Sequence, residues 1–233
     1  MFRQCFVPLT MHHHTNCFLK KHSLPEWEAA IDNNSKCLNF KKGQTIFRED
    51  DPVIGFYFLH EGKVKIHKKW GEDKELIIKL AKEGDVLGHR GIGANQHYPV
   101  SATVIEDASV CFISTEFLKT TLRINPELTY QLMLYYAHDL QEAEKGMRNM
   151  VHMDVKSRIA DTILKIAEVF GCDEDGTIKG TLTRQDLASY AGTTYETIFK
   201  VMNEFTGDHI IELSGKTIII KNRERLASII KQG

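Results

Sequence analysis

A glycine-rich loop with an arginine and two histidines is the stretch of this sequence best suited to bind an anion. Residues 84–99 read GDVLGHRGIGANQHYP and contain four glycines. Glycine lets backbone N–H groups approach and surround a negative charge, and Arg90 would add a cation beside Gly88 and Gly91. By itself this pattern is a weak signal that favours an ordinary surface loop, with an anion-binding loop as the alternative interpretation.

The cysteines and the N-terminal histidines indicate neither a disulfide framework nor a structural metal site. The five cysteines are odd in number, widely spaced and without a Cys-x-x-Cys pair, which favours a reducing cytoplasm and argues against structural zinc. His12, His13 and His14 could bind a metal, but a histidine run in a polar leader, here residues 1–22, is more often incidental. The cysteines are Cys5, Cys17, Cys37, Cys111 and Cys172.

Composition indicates a globular protein of one large or two ordinary domains. The chain has 233 residues, is 42% apolar and carries a formal net charge of -1, so a surface for a polyanion would have to be local. No run of about 18 apolar residues occurs, and the N-terminus lacks the apolar core of a secretory signal. We therefore expect a cytoplasmic protein without membrane association.

Residues 40–115 alternate short β-prone runs with breaks that contain glycine or aspartate. Runs such as GFYFLH at 55–60, VSATVI at 100–105 and SVCFIS at 109–114 have the length typical of antiparallel sandwiches and barrels. Turns are expected at Glu61-Gly62 and near Gly84, where glycine supplies a positive φ. With a short helix over 23–36, the pattern predicts a compact β-roll domain over residues 23–124.

A long helix is expected from Asn125 to about Met150. Asn125 is a favoured N-cap residue and Pro126 suits the first helical position. A twin helix from a second subunit or the core of a monomer would bury its apolar seam equally well, and periodicity does not choose between them. The seam residues, spaced by three and four, are Met133, Tyr136, Leu140, Ala143, Met147 and Met150.

The last third of the sequence predicts a helix-turn-helix followed by a hairpin. After a helix over 153–171, Thr183 opens a helix that stops at Gly192, and Thr193 or Thr194 caps the next one. A strand-turn-strand then follows, with Lys216 at its tip. The second helix of the motif would bury Ile198, Val201, Met202 and Phe205 and expose Tyr195, Glu196, Thr197 and Lys200, a polar leading end suited to the major groove.

The order of these elements resembles the CRP/FNR family of bacterial transcription regulators over about residues 20–230. The motifs that carry the resemblance are EGKVKI, EGDVLG, DVKSRIADTIL, TRQDLASYAGTTYETI and SGKTIII. The resemblance implies an α+β fold with an N-terminal cyclic-nucleotide-binding-like antiparallel β-roll. A long dimerisation helix over 125–151 and a C-terminal winged helix-turn-helix over 152–233 would follow.

By the same resemblance, the protein is expected to be a homodimer and not an enzyme. It would bind palindromic promoter DNA and act through RNA polymerase, with its affinity controlled by a signal at the β-roll. Glu196 and Lys200 match base-contacting Glu and Arg positions, and lysine lacks the bidentate fork of arginine. Tyr195 stands where cyclic-AMP-type members carry another Arg. Phosphate contacts are expected from Arg184, Thr194, Thr197 and Lys216.

The resemblance also places an effector pocket in the glycine-rich loop. Where cyclic-AMP binders carry Gly-Glu, Arg-Ser and Thr or Ser, this sequence reads Gly88-His89, Val100-Ser101 and Ala143. A cyclic nucleotide would lack the cation that neutralises its phosphate, which argues against cyclic AMP. Arg90 could instead supply the cation for another small anion. The expected pocket residues are Gly88, His89, Arg90, Val100, Ser101 and Ala143.

The sequence contains only part of the pattern expected for a redox-active cofactor. The loop and Cys111 resemble the iron–sulfur branch of the family, but only Cys5 and Cys17 lie near the N-terminus and Cys37 does not fit, so a four-cysteine cluster is not expected. We expect Cys111 to be a small buried strand residue. No haem-attachment motif is present, and haem ligation is left open by His60, His67, His89 and His97.

Two other classes of function, a metal-dependent enzyme and a module that regulates a partner protein, fit parts of the sequence pattern. A metal-dependent enzyme on a cupin-like barrel would need a His-x-His pair with a carboxylate and a further histidine, and no His-x-His occurs in the β-rich region. A cyclic-nucleotide-type module that docks on a partner protein through its C-terminal region is the other. Only a DNA-binding regulator predicts salt-dependent binding to half-sites about one helical turn apart.

Overall fold

A computed structural model describes residues 17–71, 74–93, 95–180 and 182–232 of the chain. Cys5 and the run His12 to His14 lie outside the described residues, so the expectation for that run is not addressed. The fold is the predicted α+β architecture. An antiparallel sheet comes first, a long helix follows, and a mostly helical domain ends the chain.

The N-terminal segment starts with two short helices, α1 (Phe18–His22) and α2 (Glu28–Asn34), separated by a 3-10 turn at Pro25–Trp27. The helix predicted over 23–36 is therefore shorter. Ser23 does not open it, because its hydroxyl donates to the carbonyl of Leu19 and caps the end of α1.

Six strands form one antiparallel sheet. β6 lies between β1 and β3, and β4 pairs with the other edge of β3. Alternate residues of β3 face opposite sides, so Tyr57 packs inside the roll while Phe58 packs against the helices. The strands are β1 (Ser35–Phe40), β2 (Thr45–Phe47), β3 (Gly55–Trp70), β4 (Lys74–Ala81), β5 (Val86–Leu87) and β6 (Ser101–Ser114).

The two longest strands run through breaks that the sequence predicts. Gly62 has the expected positive φ of 92°, but it forms a bulge inside β3 and not a turn, since the register with β6 shifts on both sides of Glu61. The expected strands at 100–105 and 109–114 are likewise one strand, β6. Gly84, with φ of 89°, does lie in a turn, as predicted.

The dimerisation helix predicted from Asn125 is confirmed as a helix, α4 (Pro126–His152), and is preceded by α3 (Thr115–Ile124), which was not predicted. Asn125 makes no side-chain cap on α4. Its Oδ1 accepts from the backbone N–H of Leu24 at 2.7 Å and its Nδ2 donates to the Thr121 carbonyl at 2.8 Å. The residue expected to cap a helix instead holds the N-terminal segment against α3.

The C-terminal domain consists of four helices and a hairpin around one apolar core. The core includes Ile163, Leu187, Phe205 and Leu226, all almost fully buried. The last helix of the domain was not predicted. The elements are α5 (Val155–Phe170), α6 (Arg184–Ala191), α7 (Tyr195–Gly207), β7 (Ile211–Ser214), β8 (Thr217–Ile220) and α8 (Arg223–Gln232).

The C-terminal domain packs directly on the β3–β4 hairpin. Ile77 and Leu80 of β4 belong to the same buried cluster as the core of α5 and α6. At the edge of this contact, Lys65 Nζ lies 2.6 Å from Glu75 Oε1 and 2.7 Å from Asp186 Oδ1 of α6. An apolar contact and an ion pair therefore join the two domains. Among the described residues, no helix is long and apolar enough to cross a membrane.

Gly62→Ala is expected to lower the free energy of unfolding by about 3 kcal/mol or more. Alanine disfavours a positive φ by roughly 1–2 kcal/mol, and its Cβ would lie 2.3 Å from the Asp107 carbonyl oxygen, which adds a steric cost. Urea denaturation of the intact protein measures the change. Gly43→Ala is the matched control, because Gly43 has a φ of 84° with open space around it. Equal losses in the two variants would contradict the steric argument.

Candidate nucleic-acid interface and effector site

The helix-turn-helix is built by local caps that hold α6 and α7 in a fixed relation. Thr183 and Asp186 form a reciprocal capping box: the Thr183 hydroxyl accepts from the Asp186 N–H, and the Asp186 carboxylate accepts from the Thr183 N–H. Aspartate thus replaces the usual glutamate, as predicted. α6 ends at Gly192 with a left-handed φ of 62°, and Thr194 caps α7 by accepting from the Thr197 N–H.

The turn between α6 and α7 is also held from outside the motif. Arg158 of α5 donates through Nε to the Ala191 carbonyl at 3.0 Å and through Nη2 to the Gly192 carbonyl at 3.3 Å. A Cβ added to Gly192 would lie 2.7 Å from both Sδ and Cε of Met150, near the end of α4. Glycine is therefore needed at the turn for its backbone conformation, while the end of the flexible Met150 side chain occupies the space beside it.

The exposed face of α7 has the residues that sequence reasoning assigned to DNA. Tyr195, Glu196 and Lys200 are exposed as predicted, but Thr197 is half-buried because its hydroxyl lies 3.1 Å from the hydroxyl of the N-cap residue Thr194. The predicted buried face is confirmed for Ile198, Val201, Met202 and Phe205.

Glu196 has a depressed carboxyl pKa. Its own backbone N–H is the larger cause and the Thr194 hydroxyl the smaller, since both donate hydrogen bonds to the carboxylate. The side chain is therefore ionised at neutral pH. An ionised carboxylate can only accept hydrogen bonds, so its partner on a base edge must be an amino group.

The remaining residues expected at phosphates differ in their surroundings. Lys216 is exposed at the turn between β7 and β8, where Gly215 has φ of 60°. Arg184 begins α6 but is half-buried, and its Nη1 is buried without a hydrogen-bond partner. Phe199 was missed as a surface residue, although an apolar side chain between Glu196 and Lys200 on one helix face could have indicated it.

The loop expected to bind an effector encloses only a small cavity. Its volume is about 10 Å³, room for one water molecule. Ser101 is buried outside its lining, where its hydroxyl accepts from the Glu49 N–H at 2.9 Å, and Ala143 does not line it either. The lining includes four predicted residues, Gly88, His89, Arg90 and Val100, with apolar neighbours such as Phe47, Ile66 and Tyr98.

The cations of the loop already have an anion, the carboxylate of Asp139 on α4. Arg90 donates to Asp139 Oδ2 through Nε at 3.1 Å and Nη2 at 2.7 Å. Lys79 of β4 donates to Oδ1 at 2.9 Å, and His89 Nε2 lies 3.0 Å from Oδ2. Burial by itself would raise the pKa of this carboxyl, but the His89 hydrogen bond and the charges of Lys79 and Arg90 hold it well below its usual range.

His89 contacts an oxygen atom through each of its ring nitrogens. Its Nδ1 lies 2.9 Å from the Val86 carbonyl oxygen, and its Nε2 lies 3.0 Å from Asp139 Oδ2. The neighbouring hydroxyl of Tyr136 on α4 donates to the His89 carbonyl, so the loop is attached to α4 through its side chains and its backbone.

A second ionic chain runs from the inside of the sheet to α6. His67 is buried, with Nε2 2.9 Å from the Thr103 hydroxyl and Nδ1 2.8 Å from Glu75 Oε2. Burial alone would raise the pKa of the Glu75 carboxyl, but hydrogen bonds from His67 and Lys65 lower it to about 2. Lys65 continues the chain to Asp186.

The histidines and cysteines considered as cofactor ligands lie at separate places in the fold. The ring nitrogens of His67 and His89 already face protein partners, and His97 is exposed beside Asn95. Cys111 is a buried residue of β6, as expected, and Cys37 lies opposite it on β1. In the described ranges, no group of three or more His, Cys, Asp or Glu side chains is arranged to hold a metal ion.

Asp139→Asn is expected to lower the free energy of unfolding by about 3 kcal/mol at neutral pH, because Lys79 and Arg90 lose their counter-charge in a largely buried setting. A carboxyl with a depressed folded pKa stabilises the fold above its unfolded pKa of about 4, and this stabilisation is lost as the pH falls. The wild-type melting temperature should therefore fall more steeply than that of the variant between about pH 5 and pH 3. Differential scanning calorimetry measures both effects.

The control for this experiment is Asp107→Asn, since Asp107 is exposed and pairs with Lys41 at the surface. It should change the melting temperature little. A similar loss in the two variants, or parallel pH profiles for wild type and Asp139→Asn, would contradict a special role of Asp139.

Comparison with known proteins agrees with this geometry. A model of the cyclic nucleotide-binding domain matches residues 37–125, and a model of the Crp-like helix-turn-helix domain matches residues 157–229. The chain is 28% identical over 205 residues to the CRP-like cAMP-activated global transcriptional regulator of Mycobacterium tuberculosis, covering 87% of this chain and 92% of the relative.

The chain is also 26% identical over 213 residues to the fumarate and nitrate reduction regulatory protein of Escherichia coli, covering 91% of this chain and 84% of the relative. The solved structure of FixK2 from Bradyrhizobium japonicum shares the fold, with 24% identity, a TM-score of 0.73 and coverage of 84% of this chain and 96% of that one. Both halves of the fold, their order and the full-length relatives agree: the chain belongs to the CRP/FNR family of bacterial DNA-binding transcription regulators.

Proposed function

We propose that the protein is a homodimeric regulator, and not an enzyme, that binds palindromic promoter DNA and acts through RNA polymerase under control of a signal at the β-roll. The observation that carries the proposal is the outer face of α7, where Glu196 and Lys200 are exposed one turn apart above a fully buried opposite face. Such a face fits the major groove, and side chains of these types hydrogen-bond to base edges. Lys216 at the tip of the β7–β8 hairpin would contact the DNA phosphate backbone beside the groove.

The proposal of a homodimer is supported by apolar side chains along α4. Met133, Leu140 and Met147 are 56%, 60% and 63% exposed and follow each other at intervals of seven residues. Tyr130, Leu134 and Val151 extend the exposed apolar stripe. A row of this length favours burial against a second copy of α4.

Not all six residues of the predicted seam are free to contact a second copy of α4. Tyr136 is half-buried and bonded to the loop of its own chain, and Ala143 is half-buried too. Met150 lies near Gly192 of the helix-turn-helix. The centre of the proposed interface is therefore Met133, Leu140 and Met147. A two-fold dimer through it would present two copies of α7 to half-sites about one helical turn apart.

Control by a signal is supported by the position of Asp139. Its carboxylate holds the cations of the effector loop, and its chain neighbour Leu140 lies in the proposed seam. An anionic effector would have to compete with Asp139 for Arg90 and Lys79. A change in the loop would then act on α4 directly, because loop and helix share one ion cluster.

The direct test is selection of duplexes from a randomised pool by the full-length protein, followed by binding measurements across salt concentrations. The expected result is a palindromic consensus with half-sites about 10 base pairs apart and an affinity that falls steeply with salt. Selection of single, non-repeated sites would remove the dimer from the proposal. Failure to enrich any duplex would overturn the proposal as a whole.

Leu140→Lys is expected to give monomers with at least tenfold weaker binding to the selected duplex, since two lysines would meet in the centre of an apolar seam. Size-exclusion chromatography with light scattering gives the mass, and fluorescence anisotropy gives the affinity. Gln141→Lys makes the same change of charge about a quarter of a turn round the helix, at another exposed position. A Leu140→Lys protein that stays dimeric would show that this stripe is not the interface.

A further inference from the structure

We propose that Phe199, supported by Tyr195, reads the 5-methyl group of a thymine in each half-site. The inference rests on the proposed function and names a specificity determinant within it. Phe199 is 55% exposed and Tyr195, one turn before it, is 47% exposed. Both lie outside the buried stripe of α7, which consists of Ile198, Val201, Met202 and Phe205.

Among the residues that the structure describes, none covers these two rings. α7 is attached to its domain by Ile198, Val201 and Phe205, all buried, so an apolar Phe199 adds nothing to that contact. A single exposed apolar residue needs no explanation, but two aromatic rings at i and i+4 form a continuous apolar strip. The strip lies on the helix that the fold places in the major groove.

The neighbours of Phe199 indicate DNA and not a protein as the partner. Glu196 and Lys200 lie one turn before it and directly after it, both exposed. In the major groove, Lys200 can donate to guanine and the ionised Glu196 can accept from an amino group of cytosine or adenine. Phe199 lies beside Glu196 around the helix and would therefore face a neighbouring base edge when these two side chains are in the groove.

Thymine is the base that a phenyl ring can recognise in this setting. Its C5-methyl is an apolar group on the major-groove edge, and contact with phenylalanine is a known way to read it. Opposite cytosine, adenine or guanine, the ring would displace water from a polar edge without offering a hydrogen bond. Phe199 thus favours thymine by an attractive contact and disfavours the other bases by desolvation.

The test replaces thymine by deoxyuridine, one position at a time, in the palindromic duplex selected from the random pool. Deoxyuridine keeps the pairing and every polar atom and removes only the methyl group. For wild type we expect one thymine per half-site whose replacement weakens binding about fourfold, which is the affinity that burial of one methyl group contributes. Replacement in both half-sites should weaken binding about fifteenfold. Phe199→Ala should bind more weakly and lose this sensitivity.

Two further variants separate the methyl contact from general binding. Phe199→Leu keeps an apolar side chain and should keep most of the sensitivity to deoxyuridine. Lys200→Ala should weaken binding and leave the sensitivity unchanged, because it removes a polar contact at another base. Fluorescence anisotropy with the same duplex pair measures all three variants.

The outcomes distinguish the two proposals. Tight, salt-dependent binding with no thymine sensitive to loss of its methyl would overturn the reading by Phe199 and leave DNA binding intact. The same holds if Phe199→Ala keeps the wild-type sensitivity, since another side chain would then contact the methyl. Absence of any selected duplex would overturn both, and the aromatic strip would then be a contact for another molecule.

Discussion

The carboxylate of Asp139 is the interaction that attaches the β-roll to the long helix α4. It brings Lys79 from β4, His89 and Arg90 from the loop, and the middle of α4 to one point. Removing two charges from water costs more than their attraction returns unless every hydrogen bond is made. Here both carboxylate oxygens have donors, so the cluster fixes the loop in one position against the helix and keeps the cavity under it small.

The parts of the fold that follow from local chemistry could be predicted from the sequence. The caps at Thr183 and Thr194, the stop at Gly192 and the buried stripe of α7 all depend on residues within a few positions of each other. The sheet was harder, because β3 and β6 stay continuous only through pairing between residues about fifty positions apart, and Gly62 becomes a bulge within that pairing. Asn125 shows the same limit: its partner, the N–H of Leu24, is 101 residues away.

The residues of the candidate sites likewise differ in whether the sequence alone could indicate them. Glu196 and Lys200 were recognised because a polar leading end on an amphipathic helix is visible in the sequence. Asp139 gave no signal, since one acidic residue on a long, largely polar helix looks like a solvated position until the loop is placed beside it. Arg90 was selected as the cation for a small anion, and its partner in the structure is a carboxylate of the protein itself.

The approach of Met150 to Gly192 determines how movements of α4 reach the recognition helices. A flexible thioether lies against a residue without a side chain, and methionine changes its conformation at low cost. Small shifts of α4 are therefore absorbed at this point, while Arg158 keeps the turn in place. In the proposed dimer, the contact between Met150 and Gly192 would damp small shifts of α4 before they change the spacing of the two recognition helices.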